Sequence, residues 1–280
     1  MTEILSGRTR IYGLIGYPVE HSFSPLIHNA AFSALKIDAR YLTFSVKPKQ
    51  ISQAIAGVKA LNIYGVNVTV PHKSSVISCL EEVTPLARLI GAVNTIKNVR
   101  GSLIGTNTDI SGFIRSLATL NFSPRHKTIA LLGAGGSARA VLTGLADAGA
   151  SRILVHNRTA GRAESLVTEF SLKFPETQLK SVSQKTILET PLDMLVNTTT
   201  VGMDSNESPL DLSKCRKIEH LVDLIYRPSQ TSLLKQAEEL GIPVINGLGM
   251  LLYQGCEAFT FWTGQPAPET VMQEQLLYLI

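Results

Sequence analysis

The chain has 280 residues, of which 44% are hydrophobic and 17% charged, with a formal net charge of +4. That length accommodates two domains, and that apolar content supplies a large core, which excludes a disordered chain. The positive charge is small and scattered, with no Lys/Arg run and no basic-aromatic interleaving, so no nucleic-acid partner is expected.

The three cysteines, Cys79, Cys215 and Cys256, are far apart and form no CxxC or Cys/His cluster. Neither disulfides nor structural zinc are expected from them. His21 and His28 lie seven apart without a third ligand nearby, so no metal site is expected. The N-terminus lacks an apolar segment of leader type, and no apolar run reaches membrane-spanning length. A cytoplasmic, reducing setting follows as an expectation.

In chain order, residues 11–16 read as a first strand running into Tyr17-Pro18-Val19-Glu20-His21-Ser22-Phe23-Ser24-Pro25. Ser24 before Pro25 suits the cap and first position of a helix carrying Ile27, Ala31 and Leu35. Ser22 and Ser24 also place two hydroxyls at a strand's carboxyl end, where α/β folds bind ligands. A second strand is expected over 41–46 and a crossover helix at Ile51, Ala54, Ile55 and Val58. In residues 64–73, Val66, Val68 and Val70 alternate with Asn67 and Thr69, the period of a strand with one apolar and one polar face. Pro71 ends the pairing and Lys73 follows it. Residues 91–96 and 102–105 flank a turn and suggest a hairpin. Asp109 then precedes a helix bearing Ile110, Phe113, Ile114, Leu117 and Leu120, and by itself it suits a helix cap.

The organising stretch is Thr128–Gly149. An apolar run ends on Gly133-Ala134-Gly135-Gly136-Ser137-Ala138, and Ala138, Val141, Leu142 and Leu145 recur at helical spacing. Gly133-x-Gly135-x-x-Ala138 between strand and helix is the dinucleotide fingerprint with alanine in its third place. The first glycine makes the turn, the second admits a pyrophosphate, and the small third residue lets helix pack on strand. The next strand, 152–155, ends in His156-Asn157-Arg158-Thr159, and Arg158 stands 20 residues beyond Ala138 (158 − 138), where an NAD site carries an acid. A guanidinium there suits a 2′-phosphate, with Arg162 a second clamp, so NADP is expected. Further strands at 194–196, 221–225 and 244–245 end near Thr198, Ile225 and Gly247, which should line the nucleotide site. From Gly249 the pattern turns helical, and a final helix is expected over 269–277.

With Ser22-Phe-Ser24-Pro25, Asn67-Val-Thr69-Val-Pro71-His72-Lys73, Gly91-Ala-Val-Asn94-Thr95, Asn107-Thr108-Asp109, the glycine turn, Asn157-Arg158-Thr159 and Gly249-Met250-Leu251…Gln254 in view, the chain resembles the shikimate dehydrogenases. The resemblance runs from about residue 13 to 259. It implies an α/β fold of two domains. An N-terminal substrate domain with a mostly parallel sheet (1–109) precedes a Rossmann-type NADP domain (110–245), and helices in 246–280 pack back on the first. It implies NADP-linked, reversible reduction of 3-dehydroshikimate to shikimate, on the route to chorismate and aromatic amino acids, by a monomer or homodimer. It makes Lys73 and Asp109 the catalytic pair. Ser22, Ser24, Asn67, Thr69, Asn94, Asp109, Tyr226 and Gln254 would hold the substrate. Asn157, Arg158, Thr159 and Arg162 would take the adenosine end of NADP, with Met250 near the nicotinamide. Thr198 and Ser137 stand where the family often carries alanine. Alternatives within the same fold are a quinate/shikimate dehydrogenase with broader substrate or NAD use and a non-catalytic NADP-binding regulator. Binding between the two domains, with closure on NADP, is a further expectation.

Overall fold

The structure, a computed structural model, describes residues 5–278. The expectation about a leader falls partly on residues 1–4, outside the described residues. Contacts divide the chain into two compact units, Met1–Gly112 with Leu251–Ile280 and Phe113–Met250. The chain enters through β1 (Arg10–Gly16), α1 (Ser24–Ala34), β2 (Ala39–Ser45), α2 (Ile51–Ala60), β3 (Gly65–Val68), β4 (Glu82–Val83), α3 (Pro85–Ile90), β5 (Thr95–Val99) and β6 (Ser102–Thr106). It continues through α4 (Asp109–Ser116), β7 (Thr128–Leu132), α5 (Gly136–Asp147), β8 (Arg152–His156), α6 (Ala160–Ser171), β9 (Gln178–Ser181), α7 (Gln184–Glu189), β10 (Met194–Asn197), β11 (Leu221–Asp223), α8 (Ser232–Glu239) and β12 (Val244–Ile245). Helices α9 (Leu248–Thr263) and α10 (Glu269–Leu277) close it.

The first unit is built on a six-stranded sheet in the order β2-β1-β3-β5-β6-β4. It is mostly parallel, because β5 alone runs against its neighbours. A core of Ile15, Ile55, Val58, Val66, Val68, Val76, Ile96 and Leu103 fills one side. The C-terminal helices return to this unit. Helix α10 packs on α1, the Trp262 Nε1–H donates to the Ile96 carbonyl at 2.9 Å, and Lys97 donates to the Phe261 carbonyl at 2.8 Å.

The second unit holds an all-parallel sheet in the order β12-β11-β10-β7-β8-β9, a doubly wound arrangement whose strand order reverses between β7 and β10. Helix α5 follows the glycine turn and buries Ala138, Val141, Leu142 and Leu145 completely. The spacing i, i+3, i+4, i+7 puts these four on one stripe, and each larger one contributes about 1.5–3 kcal/mol by leaving water.

Several local expectations shift. Ser24 is not the cap of α1 but its first residue, and the serine oxygen that accepts from a backbone N–H there is Ser22 Oγ, from Ser24 N at 3.2 Å. Residues 91–94 are not strand. Gly91, at φ +70°, terminates α3, whose six residues are too few to leave a periodic signal, and pairing begins at Thr95. Strand β3 is buried on both faces because it lies inside the sheet, whereas Val70, expected on its apolar side, is 49% exposed beyond the last paired residue. Strand β11 stops at Asp223 instead of 225, since the Asp223 carboxylate takes the Ile225 N–H.

Candidate active site

In the first unit the polar residues gather at the end of β3 and in the loops after Pro71 and β6. Lys73 follows a turn in which His72 N donates to the Thr69 carbonyl at 2.9 Å. The His72 ring bonds the Val46 carbonyl at 2.7 Å, and Val93 N donates to the Lys73 carbonyl at 2.7 Å. This backbone is held from both sides, and a long flexible side chain therefore leaves the loop in one place. Asp109 begins α4. Its N–H donates to Asn107 Oδ1 at 2.9 Å, while Asn107 Nδ2 reaches the Ala92 carbonyl at 3.0 Å. That Asx turn takes over the capping task, which releases the Asp109 carboxylate for other partners.

Those partners are Lys73 and Asn94. Lys73 Nζ lies 2.7 Å from Asp109 Oδ2, and Asn94 Nδ2 lies 2.8 Å from Asp109 Oδ1. The two side chains of the ion pair are 10% and 5% exposed, so the pair is largely desolvated. A buried ammonium and carboxylate each lose several kcal/mol of hydration, and such a pair persists only with good geometry and further hydrogen bonds. Asn94 supplies them. Its Nδ2 also reaches Thr108 Oγ1 at 3.0 Å and Gln254 Oε1 at 3.5 Å. Asn67, 5% exposed, donates to the Asn94 carbonyl at 3.2 Å and to Thr95 Oγ1 at 3.0 Å.

Five of the expected catalytic and substrate residues, Lys73, Asn94, Asp109, Gln254 and Asn67, thus meet in one network. Ser22 and Ser24 pair with each other, Oγ to Oγ, at 3.2 Å. Thr69 is half-buried, with its methyl against the bare Cα of Gly16, where an added Cβ would lie 2.3 Å away. Tyr226 belongs to the second unit, half-buried after β11. Sequence reasoning missed Tyr41, whose hydroxyl donates to Asn67 Oδ1 at 2.7 Å, together with the roles of Thr95 and Thr108. Thr95 and Thr108 sit beside Asn94 and Asp109 in the quoted blocks; Tyr41 carried no signal, because a strand tyrosine reads as core.

The second unit presents the nucleotide features. Gly133 has φ +110°, and a Cβ there would lie 2.5 Å from Thr198 Oγ1, so glycine is required twice over. Thr198 occupies that space because its hydroxyl donates to the Leu132 carbonyl at 2.7 Å. Gly135 is open, with nothing among the described residues within 4 Å of an added Cβ. It caps α5 without a side-chain hydrogen bond, which leaves the helix's first turn suited to an anion. Ala134, Gly136 and Ser137 are half-buried around it. Past β8, Arg158, Thr159 and Arg162 are exposed and Asn157 is half-buried, its Nδ2 donating to the Thr159 carbonyl at 2.9 Å. The first acidic residue, Glu164, lies inside α6. Two guanidiniums and no carboxylate at this strand end fit a 2′-phosphate.

Around the neighbouring strand ends, Asp223 is fully buried and accepts from Asn197 Nδ2, the Thr231 hydroxyl and Ile225 N at 2.9, 2.7 and 3.1 Å. Burial pushes its carboxyl above the usual range, against the pull of those three donors. The cluster ties the end of β10 to that of β11. Gly247 seals the latter, because an added Cβ would sit 2.0 Å from the Leu224 carbonyl oxygen. Met250 is 8% exposed.

Comparison with known proteins agrees with this layout. Residues 14–96 match a model described as the shikimate dehydrogenase substrate binding domain, residues 116–201 one for shikimate/quinate 5-dehydrogenase, and residues 247–277 one for the shikimate 5′-dehydrogenase C-terminal domain. The NADP(+) shikimate dehydrogenase of Geobacillus kaustophilus is 47% identical, covering 96% of this chain and 97% of that one. A crystal structure of a shikimate dehydrogenase in complex with NADP+ superposes with TM-score 0.89 at 40% identity, covering 99% of this chain and 98% of that one. The Thermus thermophilus enzyme in complex with NADP(H) and shikimate gives 0.85 at 34%, covering 97% and 100%. Near-complete coverage at these identities, over both the Lys73–Asp109 unit and the glycine-turn unit, places this chain in the shikimate dehydrogenase family.

Proposed function

We propose that the chain catalyses the NADPH-dependent, reversible reduction of 3-dehydroshikimate to shikimate, a step towards chorismate and the aromatic amino acids. The observation that carries this reading is the buried 2.7 Å contact between Lys73 and Asp109 beside a cluster of neutral hydroxyls and amides. The substrate falls to the unit formed by Met1–Gly112 with Leu251–Ile280, and NADP to Phe113–Met250. Ser22, Ser24, Thr69, Asn94, Asp109 and Gln254 recognise the ring's carboxylate and hydroxyls, and Tyr226 is a further candidate for that task. Asn67 acts from beneath, since both its amide hydrogens are committed within the protein. A site of matched hydroxyls and amides rejects an analogue that leaves them unpaired.

Gly133, Gly135, Ala138 and the first turn of α5 would hold the pyrophosphate. Asn157, Arg158, Thr159 and Arg162 would hold the adenosine phosphate, and Thr198, Ile225, Gly247 and Met250 the nicotinamide half. When bound, NADPH supplies a hydride to the ketone carbon. The Lys73 ammonium stabilises the negative charge that then develops on oxygen and gives that oxygen a proton. Asp109 aims Lys73 through Oδ2 and is itself aimed by Asn94 through Oδ1. In the reverse direction Lys73, as the neutral amine, takes the hydroxyl proton.

No helix among the described residues is long and apolar enough to cross a membrane. The test is NADPH absorbance with 3-dehydroshikimate, with quinate and NAD run beside shikimate and NADP+. Turnover by the wild type and a loss of about 10²–10⁴ in kcat for Lys73→Ala, with NADPH affinity retained, is the expected result. Near-normal turnover by Lys73→Ala removes the pair from the mechanism.

A further inference from the structure

Beneath the Lys73–Asp109 pair runs a chain of buried polar groups from Thr108 through Asn94, Thr95 and Asn67 to Tyr41. At one end the Thr108 backbone N–H donates to Asn94 Oδ1 at 2.8 Å, which makes that oxygen the acceptor and turns Nδ2 towards Asp109. Thr95 Oγ1 lies 3.0 Å from the same oxygen, so its hydroxyl donates there and is left to accept from Asn67 Nδ2 at 3.0 Å. The second Asn67 hydrogen goes to the Asn94 carbonyl at 3.2 Å. Asn67 Oδ1 can then only accept, and the Tyr41 hydroxyl donates to it at 2.7 Å. Thr108 Oγ1, 3.3 Å from Thr95 Oγ1, completes the surroundings of that hydroxyl.

These groups are closed to water: Tyr41 is 1% exposed, Thr95 0%, Asn67 5% and Asn94 2%. In such surroundings a lost partner is not replaced by solvent, and a chain of hydrogen bonds responds as a unit. The backbone register explains how the chain is assembled. Asn67 on β3 pairs directly with Thr95 on β5, and Tyr41 comes from β2, two strands away from β3 across β1. The Tyr41 ring is fixed from below by stacking on the His28 ring, with centroids 4.5 Å apart and planes 15° from parallel.

We propose that Tyr41 and Thr95 are positioning residues for the reaction: through Asn67 and Asn94 their hydroxyls set the direction in which the Asp109 carboxylate faces Lys73. The proposal rests on the dehydrogenase reading above, because it is that reaction the pair serves. Both hydroxyls are linked to the pair through Asn67 and Asn94, and their removal is read in its geometry.

The experiment compares wild type, Thr95→Val, Thr95→Ser, Tyr41→Phe and the Thr95→Val/Tyr41→Phe double variant in shikimate oxidation with NADP+. Valine keeps the shape of threonine, and phenylalanine keeps the stack on His28. Thr95→Val is expected to lower kcat about tenfold with KM changed less than about threefold, and Tyr41→Phe to lower kcat in the same sense. Thr95→Ser restores kcat to within about twofold, and the double variant is no slower than Thr95→Val, since both act through one chain. A role confined to stability would lower the melting temperature and leave this split, the rescue and the non-additivity absent. Values of kcat within twofold of wild type in both single variants, or losses that multiply in the double, overturn the proposal. A second readout is independent of substrate: exchange of the Asn94 side-chain amide, followed by NMR, speeds up about tenfold or more in Thr95→Val and in Tyr41→Phe. Unchanged exchange overturns the proposal even if the wild type oxidises no shikimate, an outcome that would by itself overturn only the proposed reaction.

Discussion

His28 makes the first unit sensitive to acid, and the effect can be worked out from the structure. The side chain is fully buried, both ring nitrogens lack a hydrogen-bond partner among the described residues, and it is packed against Tyr41 and Trp262 with ring centroids 4.5 and 5.2 Å away. Burial pushes the imidazole down to about 3. In the unfolded chain it titrates near 6.5, so below that pH the unfolded state binds a proton that the folded state refuses. A folded value below the unfolded one gives stability that is present above about pH 6.5 and lost as the pH falls towards 3. The loss is about 1.4 kcal/mol per pH unit, or about 2 kcal/mol between pH 7 and pH 5. At pH 5 this figure is insensitive to the folded value, since the buried ring is still neutral there. Carboxylates such as Glu81, held below the usual range by the Lys59 ammonium, titrate lower and act equally in a His28 variant.

The perturbation is His28→Phe, which keeps a flat ring against Tyr41 and Trp262 and deletes both unpartnered nitrogens. Trp262 is the chain's one tryptophan and lies beside the site, so its fluorescence in urea reports the unfolding of this unit. The wild type is expected to lose about 2 kcal/mol more than His28→Phe on going from pH 7 to pH 5. At pH 7 the variant is expected to match or exceed the wild type by about 1 kcal/mol, because unpaired buried polar atoms cost free energy. Parallel losses in the two proteins between pH 7 and pH 5 would refute the reasoning and show that His28 is protonated, or reached by water, in the folded state.

Two further outcomes concern the nucleotide unit. Arg158→Glu should raise KM for NADP+ by about 10- to 100-fold while leaving that for NAD+ within a few-fold, as read from initial rates with each cofactor, because a charge-assisted hydrogen bond to a phosphate is worth about 1.5–3 kcal/mol. Equal effects on both cofactors would show that Arg158 does not read the phosphate. Gly133→Ala should destabilise the unit by about 2 kcal/mol or more, since the added Cβ would meet Thr198 Oγ1 at 2.5 Å on a residue with φ +110°. Gly135→Ala, open around its Cβ, should leave the melting temperature nearly unchanged but weaken NADP+ binding in calorimetry. Similar melting losses in both variants would contradict the two glycines' separate tasks.

Much of this protein could be read from its residues alone. The apolar run, glycine turn and amphipathic stripe of Thr128–Gly149 determined strand, turn and helix, because those are local rules of backbone freedom and side-chain period. The arginine at the end of β8 likewise carries its preference for phosphate wherever the fold puts it. What only the tertiary structure decided were the contacts between residues distant in sequence. Lys73 and Asp109 are 36 positions apart, and nothing in either segment states that Asn107 would take over the cap and leave the Asp109 carboxylate to face an ammonium. Tyr41 and Thr95 looked like ordinary strand residues, and joined the network around Asn67 only when β2, β1, β3 and β5 were laid side by side. Local pattern determines which way a side chain leaves the backbone; which polar group it meets depends on sheet order and register, and those are set by the packing of the whole unit.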